Sequence, residues 1–289
     1  MRYTFMAQHL SSYRVPALCE ALQVSRSGFY RWKSVKHEVC AVDKAVSTAF
    51  AHHKARAGAP CLTADVRATG VLVSERTVGR SLRKQGLRCR HKRKFRHTTD
   101  SKHNLPIAPN LLNRQFTVSK PNVAWVGDIT YLQTQEGWLY LATMIDLFNR
   151  QVVGWQISTK IDQALVNDAL TAALTTRGKP SGVIVHTDRG AQYCAHSFKA
   201  ILTKHRCLQS MSRKGNCWDN AVAESFFATF KKQTVIGKPI GTRHEMRQQV
   251  FEFIEIYYNR VRRHSANGWV TPVEFERLYN QNLETSVVH

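Results

Sequence analysis

The sequence predicts an α/β protein in which a mixed sheet covered by helices follows a mainly helical and strongly basic region. Three observations predict it. Three runs rich in aromatic and β-branched residues follow one another across short turns between residues 124 and 158; strand and helix patterns alternate beyond them; and the N-terminal part reads as helical pairs.

Charge separates the two parts. Of the formal net charge of +22, residues 1–120 contribute 23 Lys and Arg against 6 Asp and Glu, whereas residues 121–289 contribute 19 against 14. The densest stretch, RKQGLRCRHKRKFRH at 83–97, has eight Lys or Arg and no acid, which suits a polyphosphate partner, nucleic acid first. A membrane surface fits less well, because no apolar face accompanies the stretch and no run of 18 apolar residues occurs. The start, MRYTFMAQHLSSYRVPALC, lacks an apolar segment followed by a small-residue cleavage site, and the seven cysteines form no CxxC pair. Both point to reduced thiols in a cytoplasm. Cys61 and Cys89 with His52, His53 and His91 match no familiar zinc spacing.

Taken in order, VPALCEALQ and VSRSGFYRW form a first helical pair, with Ser25 placed to cap its second member. LTADVRATG and VLVSERTVGRSLRKQG form another: Ser74 is the N-cap, Glu75 favours the positive helix start, and Gly86 stops the helix. That last helix carries Arg76, Arg80, Arg83 and Lys84 beside apolar Val78 and Leu82, the pattern of a helix packed on one side and facing phosphate on the other. Arg90, Lys92, Arg93 and Lys94 continue the basic surface. Residues 98–122 hold three prolines and little periodicity, as a linker would. Strands follow at AWVGDITYLQ, WLYLATMIDLF and QVVGWQIS, then a helix over DQALVNDALTAALTTRG and the strand GVIVHTD. A helix around AHSFKAILTKH, the short strand LQSMS and a helix from about Asp219 to Lys232 close the sheet region. GTRHEMRQQVFEFIEIYYN is a further helix with apolar positions at 250, 253, 254 and 257; a basic turn and a short helix over VEFERLYNQ end the chain. The divisions are thus 1–97, a linker at 98–120, 121–235 and a C-terminal extension at 236–289.

Acids in this pattern are informative. Asp128 lies within a largely apolar strand, Asp188 follows another, and Glu224 stands inside a helix among Ala, Val and Phe. Buried carboxylates need a cation or an arginine. Three that converge repel one another unless divalent cations hold them, and a pair of such ions is suited to in-line displacement at phosphorus. Mg²⁺, with its preference for oxygen ligands, is the natural choice. Asp219 stands at the helix start, where Asp is a natural cap; Asn216, Asp219 and Asn220 either shape the turn before that helix or bind DNA; Asp146 suits a structural role, and His186 either a ligand-orienting role or a structural hydrogen bond. Trp125, Trp155, Phe226 and Phe227 read as core.

Residue types alone do not single out this trio among fourteen acids; resemblance does. WVGDITYL, VIVHTDRGAQY and MSRKGNCWDNAVAESFFATFK resemble the catalytic core of DDE transposases of bacterial insertion-sequence family three, in the retroviral-integrase superfamily with its ribonuclease-H-like fold. The 35 residues between Asp188 and Glu224 match the family spacing, SRSGFYRW and SERTVGRSLRKQGL resemble its DNA-binding helices, and YYNRVRRHSANGWVTPVEF resembles its closing motif. The resemblance implies a five-stranded sheet, with Asp128, Asp188 and Glu224 as catalytic ligands of two Mg²⁺ ions for which Mn²⁺ can substitute. It implies DNA contacts from Lys231, and the basic turn adds Arg262 and Arg263. It further implies strand cleavage and transfer by a copy-out, paste-in route at terminal inverted repeats and in target DNA. The product of an upstream reading frame, separate or fused by frameshifting, assembly at least as a dimer, and a location at the bacterial nucleoid belong to the same expectation. Two departures stand out: Asn267 replaces an expected apolar residue, and KARAGAPCLTADV lacks the usual tyrosine-glycine pair. The rival readings are a ribonuclease-H-type nuclease that does not join strands and an inactive DNA-binding regulator.

Overall fold

A computed structural model describes residues 2–34, 40–89, 106–213, 217–235 and 240–287. Six helices come first: α1 (Arg2–Gln8), α2 (Val15–Ala21), α3 (Arg26–Ser34), α4 (Ala41–His52), α5 (Ala59–Ala68) and α6 (Glu75–Lys84). Helices α1–α3 share one small core around Met6, Leu18 and Phe29, and α4–α6 another around Val46, Leu62, Val66 and Val78. Ser25 Oγ accepts from Gly28 N at 3.0 Å, and Ser74 Oγ caps α6 through Thr77 N at 3.2 Å, as the sequence predicts. Gly86, at φ +67°, ends α6, and Leu87 N returns to Leu82 O at 2.9 Å, closing the helix in the manner left-handed glycines allow.

The sheet is built from β1 (Ala124–Thr134), β2 (Gly137–Asp146), β3 (Val152–Ser158), β4 (Ile184–Thr187) and β5 (Leu208–Met211), in the order β3-β2-β1-β4-β5. Short turns make β1, β2 and β3 antiparallel neighbours, while β4 and β5 join in parallel through helical crossovers. The crossovers are α7 (Gln163–Thr176) before β4 and α8 (Ala191–Cys194) with α9 (His196–Lys204) before β5. Trp125, Met144, Val153 and Val185 point toward α7 and α9; Val126, Leu141, Ile145 and Val152 point the other way, toward α10 (Ala221–Phe230) and α11 (Arg243–Phe251). Alternation along each strand thus fills two cores and makes three layers.

Both late helices widen. A 3₁₀ turn at Cys217–Asn220 precedes α10, which continues as a π-helical stretch over Lys231–Val235; α11 continues likewise over Glu252–Tyr258. Val250, Phe253, Ile254 and Tyr257 are buried, in keeping with their apolar spacing, although the helix geometry changes within it. The last helix, α12 (Pro272–Val287), runs longer than its sequence pattern predicts.

The proline-rich segment from 106 has no regular structure, yet it is bound along the sheet edge. Met211 N donates to Pro109 O, Leu111 N donates to Ser210 Oγ at 2.9 Å, and Leu112 is buried in the α10 core. Asn267 is buried and donates through Nδ2 to Asn149 O at 2.6 Å, which accounts for a polar residue there. The departure at 57–60 leaves α5 intact, because Pro60 falls in its first turn.

Candidate active site

The parallel pairing of β1 with β4 ends at Val126 and His186, after which β1 continues in its hairpin with β2 while β4 stops at Thr187. Asp128 and Asp188 each lie two residues beyond that last rung, at the carboxyl end of the paired region, where open α/β sheets place their ligands. The third acid comes from above: α10 crosses β1, and Asn220 Nδ2 ties its start to Gly127 O at 3.2 Å. Glu224 follows one turn later, facing the same strand segment.

Electrostatics registers this convergence. The Asp128 carboxyl is pushed well above the usual carboxylate range, first by burial, then by the charge of Asp188 and also by that of Glu224; only the backbone N–H of Ile129, at 2.8 Å, and the charge of Lys231 oppose the rise. Lys231, at the start of the π-helical stretch, is half-buried and has its ammonium pKa lowered by burial, against the pull of Asp128. Asp188 is held differently: Gly190 N donates to its Oδ1 at 2.9 Å across a tight turn. Tyr193 stands buried on the other side of this turn, its phenol pushed well upward by burial and by the Asp188 and Asp128 charges.

The remaining acids are structural. Asp219 does not cap α10: its fully buried carboxylate accepts from Arg213 N (2.9 Å), Nε (3.0 Å) and NH2 (3.0 Å), from Arg114 Nε (2.8 Å) and from Asn110 Nδ2 (3.1 Å). Those arginines hold it well below the usual carboxylate range. The cap is not made because Arg213, six residues earlier, and Arg114 and Asn110 from the segment along the sheet edge together occupy the carboxylate. Asp146 accepts from Asn122 N, Phe148 N and Arg177 NH2. His186 is buried between Ser210 Oγ (2.8 Å) and Ser212 Oγ (3.2 Å), and burial lowers its pKa to about 4. Trp125, Phe226 and Phe227 are core, and Trp155 packs beside them while donating to Glu255 at 2.7 Å. Trp218, by contrast, is 69% exposed next to the start of α10.

On the basic side, Arg76, Arg80 and Arg83 are exposed along α6, and Lys84, exposed too, is bonded to Asp43 at 2.6 Å. Arg90, Lys92, Arg93 and Lys94 lie outside the described residues, as do Lys214 and Asn216. Arg262 sits over the Tyr258 ring, 5.8 Å from its centre. Arg263 is engaged internally, its Nε on Asp65 Oδ1 at 2.5 Å.

An integrase core domain model matches residues 118–217, a second integrase core domain model matches 205–272, and an HTH-like domain model matches 40–95. Transposase InsF for insertion sequence IS3A of Escherichia coli (strain K12) is 45% identical over 98% of this chain and 100% of its own length. The chain belongs to the IS3 family of transposases. The insertion element IS600 uncharacterized 31 kDa protein of Shigella sonnei is 41% identical over 91% of this chain and 99% of its own. Among solved structures, the HTLV-2 integrase catalytic core domain in complex with magnesium (trimeric form) is 16% identical, with TM-score 0.42, covering 54% of this chain and 97% of that one. The simian T-cell lymphotropic virus intasome in complex with PP2A regulatory subunit B56 gamma gives 16%, 0.43, 75% and 69%. The protein is therefore a transposase with an integrase catalytic core, a polynucleotidyl transferase joined to an HTH-like helical region. None of its described helices is long and apolar enough to cross a membrane.

Proposed function

We propose that Asp128, Asp188 and Glu224 are the catalytic carboxylates of this transposase and together hold two Mg²⁺ ions, or Mn²⁺ in their place. The observation that carries the reading is the convergence of carboxylates from three separate elements: Asp128 and Asp188 lie two residues past the last rung between β1 and β4, α10 is tied to Gly127 beside them, and the charges of Asp188 and Glu224 push the Asp128 carboxyl upward. Like charges drawn together under burial are costly unless cations share them, and an all-oxygen donor set suits Mg²⁺. When bound, the ion pair stabilises the attacking and leaving oxygens of an in-line displacement at phosphorus. The carboxylates fix where that phosphate sits. Lys231, beside Asp128, donates to a non-bridging phosphate oxygen and positions the strand without reading its bases. Arg76, Arg80, Arg83 and Lys84, with Arg90, Lys92, Arg93 and Lys94 following them in the chain, track the phosphates of the element end, and Arg262 adds a contact from the basic turn. Arg263 adds a second contact from that turn, beside its bonds to Asp65 and Trp269 O.

Water attacks a phosphodiester at the element end and displaces the 3′ oxygen, freeing a 3′ hydroxyl; that hydroxyl then gives up its proton and attacks a phosphodiester of another strand, joining its phosphorus as the bond to that strand's own 3′ oxygen breaks. We read the route as copy-out, paste-in, carried by an assembly at least dimeric on terminal-repeat DNA, with the upstream-frame product, separate or fused, sharpening end recognition. The catalytic unit is taken as 121–235, with 1–97 as the DNA-binding region, 98–120 as linker and 236–289 as an extension; the protein works in the bacterial cytoplasm at the nucleoid.

The test uses purified protein, alone and fused to its upstream frame, with labelled end DNA and Mg²⁺ or Mn²⁺. Joined products that vanish in Asp188→Asn and without metal are expected. Cleavage without joining would favour the nuclease reading, and tight binding with no chemistry from either protein the regulator.

A further inference from the structure

We propose that His53, Cys61 and Asp65 form a binding site for one zinc ion at the seam between the α4–α6 module and the C-terminal extension. His53 follows the end of α4, while Cys61 and Asp65 stand one turn apart on α5. One ligand atom from each lies within 4.8 Å of the other two. His53 Nε2 is 2.7 Å from Asp65 Oδ2, and Cys61 Sγ is 4.0 Å from the same oxygen. With bonds of about 2.0–2.3 Å, donors around tetrahedral zinc sit roughly 3.3–3.6 Å apart, so the His53–Asp65 pair opens and the Cys61–Asp65 pair closes by about half an ångström to admit the ion. The fourth position is left to water.

The outer support is already in place. His53 Nδ1 lies 3.2 Å from the Tyr257 hydroxyl, whose ring stands edge-on to the imidazole, and Asp65 Oδ1 is fixed by Arg263 Nε. Ligating histidines pass their other ring nitrogen to such a partner, and ligating carboxylates are themselves hydrogen-bonded. Charge balances as well: a neutral imidazole, a thiolate and a carboxylate together carry two negative charges, which one divalent ion neutralises.

The mixed nitrogen, sulfur and oxygen donors favour zinc over magnesium, opposite to the carboxylates near α10. The seam is otherwise held by Arg56 and Lys54 on Glu252, at 2.8 and 3.1 Å. An ion there would lock the module that carries α6 onto the catalytic unit. This inference does not depend on the roles proposed for Asp128, Asp188 and Glu224.

The experiment is an anaerobic Co²⁺ titration of the full-length, chelator-treated protein in excess Mg²⁺, followed by optical absorption. Expected is one Co²⁺ per chain with a thiolate-to-cobalt band that stoichiometric Zn²⁺ removes, absent in Cys61→Ser and retained in Cys194→Ser. Tyr257→Phe, which removes only the outer hydroxyl, should weaken Zn²⁺ binding about tenfold. Wild-type protein without a thiolate-to-cobalt band, a band that survives Cys61→Ser, or an affinity untouched by Tyr257→Phe would each overturn the proposal.

Discussion

Replacing Asp219 by Ala should damage this protein without touching any proposed metal ligand. The Asp219 side chain has no exposure and accepts from five donors on Arg213, Arg114 and Asn110. Removing one partner of a buried ion pair costs about 3–5 kcal/mol because the other charge is stranded. Here the arginine side chains are 44% and 49% exposed, so water recovers part of their solvation and the lower figure, about 3 kcal/mol, applies. For a chain of 289 residues, with an unfolding entropy of about 2.1 cal/mol/K per residue, that corresponds to a fall in melting temperature of roughly 5 °C. Circular dichroism at neutral pH is a sufficient assay. The effect should extend to catalysis, since Asp219 anchors the turn that leads into α10 and hence places Glu224; strand transfer should drop even at temperatures where the variant is folded. A variant melting within about 1 °C of wild type would refute the reasoning, for it would mean that the arginines hold nothing in place.

Two further outcomes follow from packing and titration. Gly154→Ala should cost about 3 kcal/mol in urea unfolding, because a Cβ there would stand inside contact distance of Ala169 O and Ala173 N, backbone atoms of α7 that cannot turn aside. An unchanged midpoint would show that α7 rides freely on the sheet. His264, whose pKa is lowered from 6.5 to about 4 by burial and by the nearby Arg262 and Arg150 charges, is held neutral in the fold. Above pH 6.5 neither state gains a proton; as pH falls from 6.5 to about 4 the unfolded chain does and the fold does not, so stability should fall by up to roughly 3 kcal/mol. Unfolding free energies measured across that window should fall less steeply in His264→Gln, and parallel slopes would exclude the assignment.

Local signals were legible wherever one element contained its own cause. Ser74, Glu75 and Gly86 bound α6 through contacts within a few residues, and alternation along β1–β3 fixes which face each side chain takes. Asp128 and Asp188 stood out because carboxylates in apolar strands need a reason, but tying them to Glu224 required resemblance, since pairing between β1 and β4 spans distant segments. Non-local partners explain what was missed. Asp219 reads as a helix cap until Arg114, far earlier in the chain, is seen to reach it. Helix α4 lacks a local start signal, since Cys40 precedes it without a side-chain cap bond, although Asp43, Val46 and Phe50 are buried at helical spacing. The grouping of His53 with Cys61 and Asp65 depends on how α4 packs on α5, which no spacing rule encodes.

The two aspartates differ in what carries them. Asp128 sits inside a strand that stays hydrogen-bonded to β2 along its length, whereas Asp188 hangs on a turn past the end of β4, closed by Gly190. Amide exchange around Asp128 should require opening of the whole sheet, while around Asp188 it needs only local release. The start of α10, tied down through Asp219 and Asn220, sides with the strand. On the proposed two-step chemistry, the Asp188 turn is then the one wall that can give way when a bulky sugar hydroxyl takes the place of water, while the strand keeps the origin of the site unchanged.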